Sequence, residues 1–311
     1  MDIKNYKILV TGGSGFLGRH LINKLIQVGV SPDRISKLGS ETDLRYLENC
    51  NRAIYNQDIV IHLAGRVGGI GFNQEKPGDI MYDNLIMGIN VIKAALDAKV
   101  KKFVLIGTVC SYPKFCPVPF EEENLWNGYP EETNAPYGIA KKTLGELVEA
   151  FYRQYGFNAI YLLPVNLYGP WDNFAPTSSH VIPALIRKVD TAITQSVGQL
   201  EVWGSGKASR EFLYVEDAAE AIVMATEKHD FDPEPVNIGT GKEITICDLV
   251  NIVCRLMNYN GKVVWDKSKP DGQPRRQLAI NRAARKFGFA ATTDFEQGLK
   301  ETIRWYYNFI K

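Results

Sequence analysis

The chain has 311 residues, of which 45% are hydrophobic and 23% are charged, and its formal net charge is +1. This is ordinary globular composition with enough length for a sizeable core, and the charge gives no reason to expect nucleic acid or an anionic membrane as a partner. No apolar run approaches the ~20 residues of a membrane span. The five cysteines are odd in number and match no zinc-site spacing. We therefore expect a cytoplasmic protein with reduced thiols.

Short apolar runs alternate with segments of helical periodicity along the first half of the chain. Strands are predicted at residues 7–11, 35–38, 59–63, 103–106 and 159–163. A helix is predicted after Phe16, and others at residues 84–98 and 137–155. Strands that alternate with helices are typical of a parallel sheet covered on both faces. The sequence predicts an α/β fold with a doubly wound parallel sheet of the Rossmann type.

The alternation weakens after residue 169. Short strands are predicted at residues 212–215 and 236–239, and helices at residues 181–189, 244–257 and 295–309. We place a dinucleotide-binding domain at residues 1–169. Short segments near residues 212–239 return to this domain. A smaller, mixed α/β substrate-binding lobe takes most of residues 170–311. Cys247 and Cys254 lie seven apart in a predicted apolar helix, so we expect both in the core.

Three glycines, Gly12, Gly15 and Gly18, lie between the first predicted strand and the first predicted helix. Glycine permits the tight turn and the close backbone approach that a pyrophosphate requires, and the N-terminus of the following helix faces the anion. The pattern alone is weak, but its strand–turn–helix context makes it a strong signal. The sequence therefore predicts a dinucleotide site after the first strand.

The residues after the second predicted strand leave the choice between NAD and NADP open. An acidic residue there binds the ribose 2′-hydroxyl, whereas a basic one favours the 2′-phosphate. Lys37 and Arg45 are nearby cations, and Ser40 is a hydroxyl that could bond a phosphate. Glu41 favours the opposite choice.

Tyr137 and Lys141 lie four residues apart in a predicted helix, so they share one face. An ammonium beside a phenol favours the phenolate and lowers the pKa of the tyrosine. Such a tyrosine could exchange a proton with an alcohol or a ketone near neutral pH. On its own the pair is a common accident of amphipathic helices, but it follows a glycine-rich nucleotide loop in this chain.

These motifs together resemble an extended short-chain dehydrogenase/reductase that acts on nucleotide sugars. The resemblance rests on the glycine loop, residues 58–64, Asn84, the pair Tyr137 and Lys141, and residues 210–217. It implies that Thr108 completes a catalytic triad with that pair. It also implies the cofactor contacts Gly12, Ser14, Gly15, Phe16, Leu17, Gly18, Ser40, Asp43, Leu44, Ala64, Tyr137, Lys141, Pro164, Asn166 and Leu167.

Five further stretches resemble the GDP-L-fucose synthase family more specifically: residues 65–70, 110–114, 164–170, 172–174 and 179–187. The resemblance implies a GDP-4-keto-6-deoxy-mannose 3,5-epimerase and 4-reductase. It assigns Cys110 as the base and His180 as the acid of epimerisation, with Thr108 and Tyr137 holding the C4 oxygen. The chemistry is consistent, because a C4 ketone acidifies C3 and C5 and both side chains can be poised near neutral pH.

The same resemblance implies a GDP-sugar as the partner and a homodimer formed by the helices near Asn84 and Tyr137. Candidate residues for binding the substrate are Arg187, Trp203, Arg210 and Lys269. Residues 271–276 resemble a loop that closes over the substrate in these enzymes.

Two departures from the family affect the cofactor and the ketone site. Thr108 stands where serine is usual, and Ser14 stands where fucose synthases often carry an arginine for NADP. NADP(H) is slightly favoured as the cofactor, and NAD(H) stays open. A related deoxy or heptose sugar also stays open as the substrate.

Two other functions fit the same fold. One is an NAD-dependent nucleotide-sugar 4-epimerase, and the other is a non-catalytic dinucleotide-binding regulator. Without the resemblance, Cys110 is interpreted as a buried structural thiol. His180 is then interpreted as a residue that forms local hydrogen bonds at the start of a helix. His62 is expected in the core, and His20 and His229 on the surface.

Overall fold

The computed structural model describes residues 1–229, 234–269 and 272–311. Within these residues the strands are, in chain order, β1 (Ile8–Thr11), β2 (Ile35–Leu38), β3 (Ile59–His62), β4 (Lys102–Ile106), β5 (Ala159–Pro164), β6 (Asn166–Tyr168), β7 (Gln199–Trp203), β8 (Ser209–Tyr214), β9 (Pro235–Ile238), β10 (Glu243–Thr245) and β11 (Lys262–Asp266). The helices are α1 (Phe16–Gln27), α2 (Leu47–Ile54), α3 (Ile70–Glu75), α4 (Pro77–Asp97), α5 (Ala135–Tyr155), α6 (Val181–Thr194), α7 (Val215–Lys228), α8 (Ile246–Leu256), α9 (Asn281–Phe287) and α10 (Phe295–Phe309).

Six parallel strands form the central sheet in the order β2-β1-β3-β4-β5-β9. Strands β1 and β3 are buried along their whole length, as their continuous apolar runs predict. The chain leaves β1 for β2 and then returns to β3 on the other side of β1, so the strand order reverses there. Ligands of such sheets bind outside the carboxyl ends of the strands at this reversal. The predicted α/β fold with a doubly wound sheet is confirmed.

Two hydrophobic clusters fill the molecule. The first surrounds the central sheet and includes apolar residues of α7 and β9, which return to it from the second half of the chain. The second lies among α6, α8 and α10, beside the small sheets β10-β8-β6 and β11-β7. The domain boundary that we place after residue 169 stays a prediction. No helix of the described residues combines the length and apolar character needed to cross a membrane.

The predicted end of α6 was wrong, because the helix continues beyond residue 189 to Thr194. The predicted starts of two other helices were wrong for identifiable reasons. Helix α4 begins at Pro77, seven residues earlier than predicted, because proline at the first helical positions loses no hydrogen bond. Helix α8 begins at Ile246, whereas we predicted a start at Ile244, which lies in β10. The side chain of Thr245 accepts the N–H of Asp248 and so caps the helix after the strand. The predicted bounds of α10 are confirmed.

Three single-residue expectations about burial were also wrong. Cys254 is buried, but Cys247 is exposed in the first turn of α8, where the same helix face no longer reaches the second cluster. His20 and His229 are buried and not on the surface. His20 shares a 2.9 Å hydrogen bond with the carbonyl oxygen of Pro170 and so ties α1 to the segment after β6.

Candidate active site

The glycine loop after β1 has the shape that a pyrophosphate site requires. Gly12 has φ +69°, a backbone conformation that side chains rarely adopt. A Cβ on Gly18 would lie 2.2 Å from the carbonyl oxygen of Gly12, so the helix could not pack this closely on the loop with any other residue. Gly15 is the N-cap of α1, and the first N–H groups of the helix therefore face outward beyond the loop. The residues present fit the phosphates of a dinucleotide.

A carboxylate lies at the end of β2, where the adenosine ribose of a dinucleotide would lie. The N–H of Gly39 donates a 2.8 Å hydrogen bond to Oε1 of Glu41. This bond lowers the pKa of Glu41, so its carboxylate is charged at neutral pH. A Cβ on Gly39 would lie 2.4 Å from Oε2 of Glu41 and 2.9 Å from Oγ of Ser14. The structure thus brings Ser14 and Glu41 together.

Of the two cations that we considered near the ribose, Lys37 is exposed on β2 and Arg45 is already paired. Arg45 Nη2 lies 2.8 Å from a carboxylate oxygen of Asp43, and Nη1 lies 3.3 Å from Asp83. Ser40 is exposed next to this pair, and Leu44 is buried beside it. The charge of Arg45 is therefore largely neutralised within the protein.

Tyr137 and Lys141 lie one turn apart on α5. Burial raises the pKa of Tyr137 and lowers that of Lys141 to about 8. We expected the lysine to lower the pKa of the phenol, but burial, followed by the charges of Cys110 and Tyr161, raises it instead. The phenol therefore stays protonated at neutral pH, and a protonated phenol can donate to a ketone oxygen.

A buried histidine and an asparagine lie in the layer behind Lys141. His62 shares a 2.8 Å hydrogen bond with Oγ1 of Thr11, and burial followed by the charge of Lys141 lowers its pKa to about 3. The core role predicted for His62 is confirmed. Asn84 Nδ2 donates to the carbonyl oxygens of Arg66 and Ile80, which fixes the loop after β3.

Cys110 lies on a short 3-10 turn, Val109–Ser111, that follows β4, and Thr108 is the N-cap of this turn. Oγ1 of Thr108 accepts the N–H of Cys110 at 3.1 Å, which shapes the turn. The turn packs on α5 at Gly138, where a Cβ would lie 2.2 Å from the carbonyl oxygen of Cys110. Because Gly138 follows Tyr137, the thiol and the phenol are neighbours, and the charge of the thiol adds to the raised pKa of Tyr137.

His180 is the N-cap residue of α6 and is exposed to solvent. The loop that follows β3 reaches its segment, since the N–H of Gly69 donates a 3.0 Å hydrogen bond to the carbonyl oxygen of Ser178. Protein atoms around the imidazole replace part of its water and lower its pKa. That Cys110 and His180 act on opposite faces of one sugar stays a prediction.

The remaining cofactor candidates lie at the carboxyl ends of β1, β3 and β5. The N–H of Ala64 donates to Oγ1 of Thr11 at 3.2 Å, and Leu17 and Pro164 line one small apolar cavity. Asn166 Nδ2 donates to the carbonyl oxygen of Glu211 at 3.0 Å. The set also includes Phe16, whose ring packs edge-on against His20, and the half-buried Leu167.

The structure places Trp203 beside Lys269 and gives Arg210 and Arg187 other neighbours. Trp203 is exposed, with the ammonium groups of Lys188 and Lys269 lying 5.5 and 5.3 Å from its ring centroid. Arg210 lies beside Gly272, and Arg187 Nη2 donates to the carbonyl oxygen of Pro176 at 3.3 Å. Sequence analysis missed Lys188, since nothing in the sequence places α6 near Trp203.

Arg276 is a second residue near the site that the sequence did not single out. Its Nη1 lies 3.6 Å from Sγ of Cys110, although 166 residues separate them. The resemblance marked residues 271–276 as a loop, but it could not tell which of two adjacent arginines points inward. Asp271 of that loop lies outside the described residues.

Comparison with known proteins agrees with this site. Residues 8–239 match the NAD dependent epimerase/dehydratase family. A GDP-L-fucose synthase of Sinorhizobium fredii is 40% identical over 301 residues, which cover 95% of this chain and 94% of that protein.

Two solved structures share the fold over 98% of this chain. A GDP-L-fucose synthetase from Naegleria fowleri bound to NADP has a TM-score of 0.88 and 29% identity, with 93% of its own length covered. A GDP-6-OMe-4-keto-L-xylo-heptose reductase from C. jejuni has a TM-score of 0.90 and 26% identity, with 98% covered. The chain therefore belongs to the NAD dependent epimerase/dehydratase family and, within that family of enzymes, to the GDP-L-fucose synthases.

Proposed function

We propose that the chain converts GDP-4-keto-6-deoxy-mannose to GDP-L-fucose by inverting C3 and C5 and reducing C4. The observation that carries this proposal is the position of Cys110. Its turn follows Thr108 and packs on α5 next to Tyr137. A plain 4-reductase or a 4-epimerase needs the hydroxyl groups but has no use for a thiol there.

Epimerisation uses the acidity that the C4 ketone gives to C3 and C5. Cys110 as a thiolate takes a proton from one of these carbons and leaves an enolate, whose charge rests on the C4 oxygen. His180 returns a proton to the opposite face of the same carbon. The lowered pKa of His180 makes its imidazolium a stronger acid, although a smaller fraction is charged at neutral pH.

Reduction uses the same ketone. Thr108 and Tyr137 hydrogen-bond to the C4 oxygen, and Tyr137 gives it a proton. Burial keeps the phenol protonated, as this step needs. A bound reduced nicotinamide dinucleotide supplies the hydride. Lys141 holds the nicotinamide ribose, and the loop around Gly12 holds the pyrophosphate.

We also propose the setting in which this reaction occurs. NADP(H) is slightly favoured, which the NADP in the Naegleria relative supports, and NAD(H) is the alternative. The substrate-binding residues are Arg187, Trp203, Arg210 and Lys269. The protein is cytoplasmic and acts as a homodimer.

To test this proposal, the protein is incubated with GDP-4-keto-6-deoxy-mannose and NADPH in deuterated water. The product is then analysed by NMR and mass spectrometry. We expect deuterium at C3 and C5 and a reduced C4 in the galacto configuration. Tyr137→Phe should lose about 100-fold or more in reduction and much less in exchange, because Thr108 still hydrogen-bonds to the C4 oxygen. Reduction without deuterium in the wild type would contradict the proposal and identify a plain 4-reductase.

A heptose substrate is the second candidate, which the C. jejuni reductase supports. The same incubation with a GDP-4-keto-heptose distinguishes the two sugars. Faster turnover of the heptose would favour this candidate over the 6-deoxy sugar.

A further inference from the structure

A buried arginine contacts the thiol of Cys110. Arg276 belongs to residues 272–279, which we call the strap. The strap joins β8 to the loop after the thiol: the N–H of Glu211 donates to the carbonyl oxygen of Arg276 at 3.0 Å, and the N–H of Phe120 donates to that of Gln277 at 2.7 Å. These bonds fix the backbone of the strap. The guanidinium of Arg276 then lies beside Cys110, with its Nη1 3.6 Å from Sγ.

The guanidinium is fixed on its other side by an amide. Nε of Arg276 donates a 3.1 Å hydrogen bond to Oε1 of Gln273, and Nε2 of Gln273 donates to the carbonyl oxygen of Lys114 at 2.9 Å. Arg276 is 7% exposed and Gln273 is 5% exposed. A long side chain held in this way has little freedom to turn toward solvent.

The charge of Arg276 has no carboxylate to balance it. Among the described residues no Asp or Glu oxygen forms a salt bridge with Arg276, whereas the exposed Arg275 next to it pairs with Glu243. A buried cation without a counter-charge is costly, so an anion is expected beside it. The sulfur of Cys110, as a thiolate, is the group in position to supply that charge.

We propose that Arg276 is the positioning residue that holds Cys110 as a thiolate and aims it at the sugar. The guanidinium donates to the sulfur and favours its anionic form, which is the form that takes a proton. When Cys110 takes a proton from carbon it becomes a neutral thiol, and it loses that proton to solvent before the second carbon is inverted and again before the next turnover. This role rests on the proposed function.

The other charged and titratable groups near this turn are accounted for. Tyr137 faces Cys110 from α5, and its phenol stays neutral at physiological pH. The acids of the same loop, Glu121 and Glu122, act on Cys116 and Tyr112. Among the described residues, the guanidinium of Arg276 on the strap is the cation that contacts the sulfur.

The experiment measures how fast iodoacetamide alkylates Cys110, with the modified peptide identified by mass spectrometry. We expect the alkylation rate of Cys110 at pH 7 to be about tenfold lower in Arg276→Met than in the wild type. The difference between the two proteins should narrow at about pH 10, where thiols ionise without a neighbouring cation. Arg276→Lys keeps the charge and should recover part of the rate. The exposed Cys247 is an internal standard in the same chain and should react equally in all variants.

Arg275→Met is the matched control, because it removes the adjacent arginine, whose partner is Glu243. If Arg276→Met fails to fold, Arg276→Gln removes the charge and keeps a donor for Gln273. Alkylation of Cys110 at the wild-type rate across the pH range in the charge-free variant overturns the proposal. So does a variant whose only defect is weaker binding of the sugar.

The alkylation test uses no sugar, so it separates the two proposals. If the variants differ in the alkylation rate of Cys110 but the wild type shows no deuterium exchange, the proposed function is wrong. The interaction of Arg276 with Cys110 would still be supported. In a functional enzyme, Arg276→Met should slow deuterium exchange at C3 and C5 more than hydride transfer.

Discussion

Burial and charge at single residues decide what the site can hold. Lys141 is 3% exposed, and its pKa falls from 10.5 to about 8 because its ammonium has lost most of its water. The group is charged below that pH and neutral above it. Glu41 is the reverse case: it is open to solvent, and a backbone N–H keeps it ionised. In the proposed function both groups lie where the dinucleotide is held, so we expect both to affect its affinity.

The affinity of the free enzyme for the dinucleotide should fall as pH rises through about 8. The reason is that the ammonium group of Lys141, which is proposed to donate to the nicotinamide ribose, loses its charge above that pH. Quenching of tryptophan fluorescence between pH 6.5 and 9.5 measures this affinity. Lys141→Met should bind more weakly and show a flat profile, and a flat profile in the wild type would refute the role of Lys141.

Glu41→Gln should raise the affinity for NADP⁺ relative to NAD⁺ by about three- to tenfold. The carboxylate lies beside Ser14 at the ribose end and repels a 2′-phosphate, whereas a glutamine carries no charge. Titration calorimetry with both nucleotides gives the ratio. Glu48→Gln on α2 is the control, since its carboxylate pairs with Arg52 on the surface. An unchanged ratio in Glu41→Gln would place the ribose elsewhere.

At the scale of elements, the site depends on how closely the turn after β4 packs on α5. Gly138→Ala would put a Cβ 2.2 Å from the carbonyl oxygen of Cys110, so the turn must shift. We expect this overpacking to cost about 1–3 kcal/mol of stability and to slow alkylation of Cys110. Urea unfolding and the alkylation rate check both effects. Gly78→Ala in α4 meets no atom within 4 Å and should cost nothing.

Element type was predictable where the pattern was long or wholly apolar, and it failed where tertiary contacts decide. The six strands of the central sheet and α10 carry strong local signals. No strand was predicted at β7 or β11, although the side chains of β7 alternate between exposed and buried; the two strands pair with each other away from the central sheet. Ile244 was assigned to a helix because an apolar run of that length does not distinguish a strand followed by a capped helix from one longer helix.

The candidate residues of the site were named from motifs, and only part of their arrangement follows from sequence. Glycine spacing and the Tyr137–Lys141 pair follow from local geometry. The contact between Arg276 and Cys110 does not, because it depends on how the strap crosses from β8. Nor does the pKa of Tyr137, since burial is a property of the whole fold.

At the scale of the whole molecule, the pair of helices α4 and α5 leaves apolar side chains uncovered. The helices pack against each other, and Tyr82 and Ile89 lie seven residues apart on α4 with exposures of 64% and 39%. Seven residues is two helical turns, so both side chains share one face. This face is consistent with the proposed homodimer.

Ile89→Glu should convert the dimer to a monomer, because it places a charge in the proposed apolar interface. Size-exclusion chromatography with light scattering measures the mass. Ile193→Glu, on the exposed part of α6, is the control and should remain dimeric. A wild type that is monomeric at micromolar concentration would contradict the proposed assembly.

The most direct test of the central claim, that one site divides proton exchange and reduction between a thiol and a phenol, is Cys110→Ser in deuterated water. The variant is incubated with GDP-4-keto-6-deoxy-mannose and NADPH, and deuterium at C3 and C5 is measured together with the reduction of C4. We predict that exchange is lost while reduction is partly retained, which gives a reduced sugar that keeps its original C3 and C5 configuration. Equal loss of both activities in a folded variant would contradict this division and return Cys110 to a structural role.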